Sequence, residues 1–82
     1  MQIDILTPES KLFSGEASSI IFPGISGDFE LLENHAPMIA ALKKGTIEML
    51  SGGEKKSIQI EDGFVECIQN KVSVLIADGS IS

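Results

Sequence analysis

The sequence predicts an all-β domain, a small antiparallel β-sandwich or flattened barrel of about ten short strands. Three observations carry that prediction. Apolar residues alternate with polar ones at period two along much of the chain. Turn-forming residues recur at short, regular intervals. No window of about eleven residues keeps a clean helical period. Residues 1–82 are therefore expected to form one domain, with no repeat, linker or low-complexity tract.

The elements follow in order. Ile3 and Ile5 flank Asp4, and Thr7-Pro8-Glu9-Ser10 closes that first strand. Ile20 and Phe22 flank Ile21, and Pro23-Gly24-Ile25-Ser26-Gly27-Asp28 reads as a glycine-rich loop. Ala36 to Leu42 is the one stretch expected to form a helical turn, with Pro37 near its first position. Lys44-Gly45 marks a bend. Ile47 and Met49 flank Glu48, and Ser51-Gly52-Gly53-Glu54 predicts a hairpin, because paired glycines accept positive φ at both central positions. Ile58 and Ile60 flank Gln59. Asp62-Gly63 is a second hairpin site, or a bulge that swings the chain into the other sheet. Val65 and Cys67 share a face of the next strand, which Gln69-Asn70-Lys71 turns back, since Asn tolerates the left-handed region. Val72, Val74 and Ile76 then share one face while Leu75 and Ala77 share the other, so this strand is expected to be buried on both sides.

Composition removes several function classes. Six lysines, no arginine and twelve carboxylates leave a net charge of −6. Phosphate neutralisation needs clustered cations, so a nucleic-acid module is disfavoured, and an anionic lipid surface would repel the chain on average. No apolar run approaches the ~20 residues that span a bilayer. The single cysteine, Cys67, has no partner for an intrachain disulfide. A free thiol and the lack of a visible export signal fit a reducing cytosol.

The residues offer little for chemistry. Gly24-x-x-Gly27 is followed by Asp28 and Glu30, whose charges would oppose a bound phosphate, so this is read as a surface turn. Asp28, Glu30, Glu33 and His35 are the densest polar cluster, but their spacing matches no metal site. A solvated or protein-contacting loop is preferred there. The alternative is a stand-alone sandwich that binds a small ligand or metal at this acidic loop. Cys67 reads as a small core hydrophobe, and no serine sits in a nucleophile elbow. Lys43-Lys44 raises the thought of a carrier domain modified on lysine, against which stands the plainer role of a basic edge that discourages aggregation. No catalytic, metal-binding or cofactor-binding residue is assigned. The residues by themselves indicate an acidic, non-enzymatic β-domain that contacts other proteins.

A set of short motifs in fixed order goes further. Leu12-Phe13-Ser14-Gly15-Glu16-Ala17 is followed by Phe22-Pro23-Gly24 and Gly27-Asp28-Phe29-Glu30-Leu31-Leu32. Then come Asn34-His35-Ala36-Pro37, the most distinctive tetrapeptide, and Leu42-Lys43-Lys44-Gly45-Thr46-Ile47. Gly63-Phe64-Val65-Glu66-Cys67 and Val72-Ser73-Val74-Leu75-Ile76-Ala77 complete the series. In this order and spacing they resemble the amino-terminal domain of the epsilon subunit of F-type ATP synthases, called delta in mitochondria, from Ile3 to Ala77. The helical hairpin usual in that family after the last strand is absent from this sequence. The resemblance implies a β-sandwich and a non-catalytic place in the central stalk, or rotor, of a proton-translocating enzyme. It implies two partners, the gamma subunit and the ring of c subunits, and a peripheral location on the cytoplasmic face of the inner (plasma) membrane of a bacterium. No cofactor is implied, and no ATP binding without the hairpin. On family position, Gly27, Asp28, Phe29 and Glu30 are expected at the c-ring. Asp28 would meet an arginine there, and Gly24 and Gly27 would allow close approach. His35, Ala36, Pro37, Met38 and Ala40 are expected at gamma.

Overall fold

A computed structural model describes the backbone of residues 1–77 and 79–81 and the side chains of residues 1–77. Ten strands follow one another: β1 (Gln2–Leu6), β2 (Lys11–Glu16), β3 (Ser19–Gly24), β4 (Gly27–Leu32), β5 (Met38–Leu42), β6 (Gly45–Ser51), β7 (Glu54–Ile60), β8 (Gly63–Ile68), β9 (Lys71–Leu75) and β10 (Gly79–Ile81). They hydrogen-bond in the order β10-β7-β6-β3-β5-β8-β9-β1-β2, with β4 also paired to β3. This sheet curls over on itself into a β-sandwich. One layer holds β4, β3, β6, β7 and β10, and the other holds β5, β8, β9, β1 and β2. The layers join where Gly24 of β3 pairs with Leu42 of β5.

Alternation fills the space between the layers. Ile3, Ile5, Ile20, Phe22, Leu31, Ile47, Ile58, Val65, Val72 and Val74 are fully buried, and no polar or charged residue among the described residues joins them. Each such side chain contributes about 1.5–3 kcal/mol on leaving water. Cys67 is buried among them, as its strand position predicts, and burial pushes its thiol above the ordinary range.

The turns match their residues. Thr7 N donates to the Ser10 carbonyl at 2.8 Å and closes β1 on β2. Gly52 and Gly53, at φ 60° and 80°, form the two-residue β6–β7 loop. Gln69 and Asn70, at φ 50° and 63°, do the same between β8 and β9. Such paired positive φ values fit the right-handed twist of hairpin strands. Asp62-Gly63 swings the chain between sheets as expected, but as a short connection between two strands and not as a bulge within one. It carries the chain from β7, paired with β6, to β8, paired with β5 and β9 in the other layer.

Four expectations need correction. Ala36 to Leu42 contains no helical turn; its last five residues are β5, paired residue for residue with β8. Met38, Ala40 and Leu42 alternate toward the core while Ile39 and Ala41 face out, so period two prevails, and Pro37, lacking an N–H, stands just outside the strand. The glycine-rich loop is narrower than expected: Gly24 pairs with Gly27, leaving only Ile25-Ser26 as the turn. The sheet is not wholly antiparallel, because β1 runs parallel to β9 between β9 and β2. Finally, β9 is central in its sheet but buried on one face only. Leu75 is 56% exposed, because among the described residues no layer covers its outer side.

Strand register sorts the loops into two ends. The Ile25-Ser26 turn, the Lys43-Lys44 bend, the Asp62-Gly63 crossover and Thr7–Ser10 lie at one end. Met1, Glu33–His35, Gly52-Gly53 and Gln69-Asn70 lie at the other.

Candidate protein-docking surfaces

At the Ile25 end, β4 presents alternate residues to opposite sides. Phe29 and Leu31 face the core, while Asp28 and Glu30 are exposed on the outer face. Phe29 is half-buried and stacks on Phe22, ring centres 5.4 Å apart and planes at 25°. It is therefore held by the core before any partner reaches it. A Cβ on Gly24 would stand 2.6 Å from the Gly27 carbonyl oxygen and 2.8 Å from Phe29 Cε1. Gly24 thus has an internal packing reason to be glycine. Gly27 sits at φ 125° with open space where a side chain would be, so this position leaves room beside Asp28.

At the other end, a hydrogen-bonded network fixes the segment that begins with Asn34. His35 N donates to the Leu32 carbonyl at 3.2 Å, and Asn34 adopts φ 61° within that turn. Asn34 N donates to Asn70 Oδ1 at 2.8 Å, and Asn70 Nδ2 donates to Glu33 Oε2 at 3.0 Å. The amine of Met1 donates to Glu33 Oε1 and, at 2.9 Å, to the Ala17 carbonyl. That amine, and after it Asn70, hold the Glu33 carboxyl below its ordinary range. His35 Nδ1 donates to the Ala36 carbonyl at 2.8 Å, leaving the outer edge of its ring free. His35, Ala36 and Pro37 are exposed, whereas Met38 and Ala40 are half-buried and packed on the core. Between them Ile39, which sequence reasoning passed over, is 72% exposed. The signal was available: once Ala36 to Leu42 is a strand, Ile39 must face away from Met38 and Ala40.

The acidic cluster does not converge. Asp28 and Glu33 lie toward opposite ends of β4, Glu33 turns to Met1 and Asn70, and His35 turns to its own backbone. Among the described residues no three His, Cys, Asp or Glu side chains come together as a metal would require. The alternative of a metal at this loop has no shared site to stand on.

The outer face of β5, β8 and β9 carries the apolar patch expected of a protein-binding domain. Phe64 is 59% exposed and stands in register with Ala41 on β5 and Leu75 on β9, which in turn lies beside Leu6 on β1. Ile39 and Ile68 extend the face toward the Asn70 end. Toward the Ile25 end the row opens into a groove of about 520 Å³ between Leu6, Pro8, Ile25, Phe64 and Leu75. Glu66, at the centre of the patch, is exposed. Several large apolar side chains exposed together on one sheet face, around a single carboxylate, make this face a candidate interaction surface.

Comparison with known proteins agrees with this architecture. A family model described as the β-sandwich domain of the ATP synthase delta/epsilon chain matches residues 1–80. The ATP synthase epsilon chain of Chlorobium limicola is 45% identical over 80 residues, covering 96% of this chain and 91% of that relative. Epsilon chains of Leptospira and Helicobacter pylori, 35–38% identical, are covered over only 64–65% of their length. In the mitochondrial ATP synthase of Euglena gracilis, one chain superposes with a TM-score of 0.90 at 18% identity, over 96% of this chain and 51% of that one. In the central stalk/c-ring structure from Tetrahymena thermophila the TM-score is 0.82 at 17% identity, over 98% of this chain and 65% of that one. At such identities the two structures speak for the fold alone, while the sequence matches speak for descent. With the sandwich, its apolar face and these matches together, the chain belongs to the ATP synthase delta/epsilon family, as its β-sandwich domain.

Proposed function

We propose that this chain is a non-catalytic subunit of the central stalk of a proton-translocating F-type ATP synthase. It joins the gamma subunit to the c-subunit ring and so helps carry torque to the catalytic head during ATP synthesis, at the cytoplasmic face of the membrane. The observation that carries the reading is the uncovered apolar face around Ile39, Phe64 and Leu75, which calls for a protein partner. That face adjoins the His35–Pro37 segment, so the gamma surface comprises both. Ile39 replaces Met38 and Ala40 as its main contact from β5, since of these three only Ile39 points outward. Gly27, Asp28 and Glu30 form the ring-facing surface, with Phe29 as their internal support. Asp28 lies near the opposite end of the sandwich from His35, an arrangement suited to linking two partners. Charge at Asp28 acts on register and orientation more than on affinity.

The test is co-purification with the gamma subunit from the same genome on a sizing column. A stoichiometric complex is expected, lost on Phe64→Ser with the fold intact. Two folded proteins that elute separately would sink the reading. For the ring surface, Asp28→Lys is expected to impair assembly and proton-driven ATP synthesis without changing the melting temperature.

A further inference from the structure

The network at the Met1 end ties the start of the Asn34–Pro37 segment to the β8–β9 turn. Asn34 sits at positive φ, and its backbone N–H is directed into the β8–β9 turn, 2.8 Å from Asn70 Oδ1. The same Asn70 amide donates to Glu33 Oε2, one residue earlier in the chain. Its backbone carbonyl accepts from Gln2 N at 3.1 Å, which pins Asn70 to β1. Asn70 thus grips both sides of the Glu33–Asn34 peptide from a hairpin anchored in the other layer. Beyond the grip the chain makes the His35-to-Ala36 contact and then enters β5. Among the described residues no strand pairing involves residues 33–37 themselves.

We propose that Asn70 and Glu33 are positioning residues. They preorganise Asn34-His35-Ala36-Pro37 for docking, although neither is required to touch the partner. This rests on the reading of that segment as part of the gamma surface. An exposed segment ordered before encounter loses less conformational freedom on binding. Asn70 suits the task because one amide supplies both the acceptor for Asn34 and the donor for Glu33, and because Asn tolerates its φ of 63°.

The test separates local shape from binding. Asn70→Gly tolerates the positive φ and removes the side-chain amide, while loosening the backbone at that one position. Amide exchange at Asn34 is expected to accelerate at least tenfold, and affinity for the gamma subunit to fall about tenfold, at a temperature where the variant is fully folded. Asn70→Asp sets two carboxylates against each other and should weaken binding as well. Pairing it with Glu33→Gln reverses donor and acceptor, with the glutamine amide donating to the new carboxylate, and should restore most of the affinity. A structural role alone predicts no such rescue. Unchanged Asn34 exchange in Asn70→Gly overturns the proposal. So does wild-type gamma affinity in that variant, or a double variant no better than Asn70→Asp. A wild-type chain that fails to bind gamma overturns the stalk reading and the docking half of this proposal with it, while Asn34 exchange still decides whether Asn70 shapes the segment.

Discussion

The two ends of the sandwich are built by different means. At the Met1 end, loops from three parts of the chain are tied by side-chain hydrogen bonds through Glu33 and Asn70. At the Ile25 end, shape comes from packing: the Gly24–Gly27 closure, Phe29 on Phe22, and a groove left open beside Phe64. A packed end responds to changes in volume and is indifferent to mild acid. A tied end responds to changes in charge and tolerates lost volume. Both ends adjoin the same apolar core, so the contrast lies in how the strand ends and loops are held against it.

The largest effect expected is at the packed end. Phe22→Ala removes a fully buried ring and the stacking support of Phe29, and should cost about 3–5 kcal/mol in denaturant unfolding. If the loss is below about 1 kcal/mol, packing does not hold that end. Gly24→Ala comes next, at about 1–3 kcal/mol, because the new methyl meets the Gly27 carbonyl and the Phe29 ring. Gly27→Ala is the sharper partner measurement. It has space but a strained φ, so a cost comparable to that of Gly24 would mean that dihedral strain rather than collision governs the hairpin.

Smaller effects belong to the tied end. Gln69 holds φ 50° with a side chain that gains nothing from it, so Gln69→Gly should stabilise by about 0.5–1 kcal/mol. Acid should act here first. The folded Glu33 carboxyl titrates below its unfolded value, so its contribution is fully present above the ordinary carboxylate range. It is lost as pH falls through that range toward the folded pKa. Amide exchange followed between pH 6 and 3 (about the span of carboxylate titration) should show Asn34 losing protection before Ile25, whose N–H donates to the Ala41 carbonyl at 3.1 Å. Simultaneous loss would remove the contrast between the ends. Asp4, lowered chiefly by its hydrogen bond from Ser14, titrates in the same direction and lies on β1, so Asp4→Asn serves as the control.

The candidate surfaces were legible to different degrees, for reasons that can be traced to residues. Gly52-Gly53 announced their hairpin because positive φ is a local demand that glycine meets anywhere. Asn34-His35-Ala36-Pro37 was visible as a motif, but its anchoring by Asn70 was not, because 36 residues separate the bonded groups. Phe64 and Leu75 were legible as apolar residues alternating with Val65 and Val74, whereas the expected helical turn over Ala36 to Leu42 concealed the outward direction of Ile39. That the side opposite the core would be left bare could not be inferred from any of those strands singly. The same gap produced the error over β9, where a central position in the hydrogen-bonded sheet was equated with burial on both faces.

What the sequence by itself determined is the class of structure: period-two alternation, β-branched strands and turn residues leave a layered β-fold as the one way to bury its apolar side chains. Charge and composition disfavoured nucleic-acid and anionic-lipid partners, and the ordered motifs pointed to the family. What only the tertiary structure decided is which sheet face stays open and which loops meet. Strand register and the crossover at Asp62-Gly63 bring together β5, β8 and β9, and place Asn70 against Asn34. The physical reason is that alternation specifies two faces for every strand, but only the packing of one layer on the other chooses the face that water keeps.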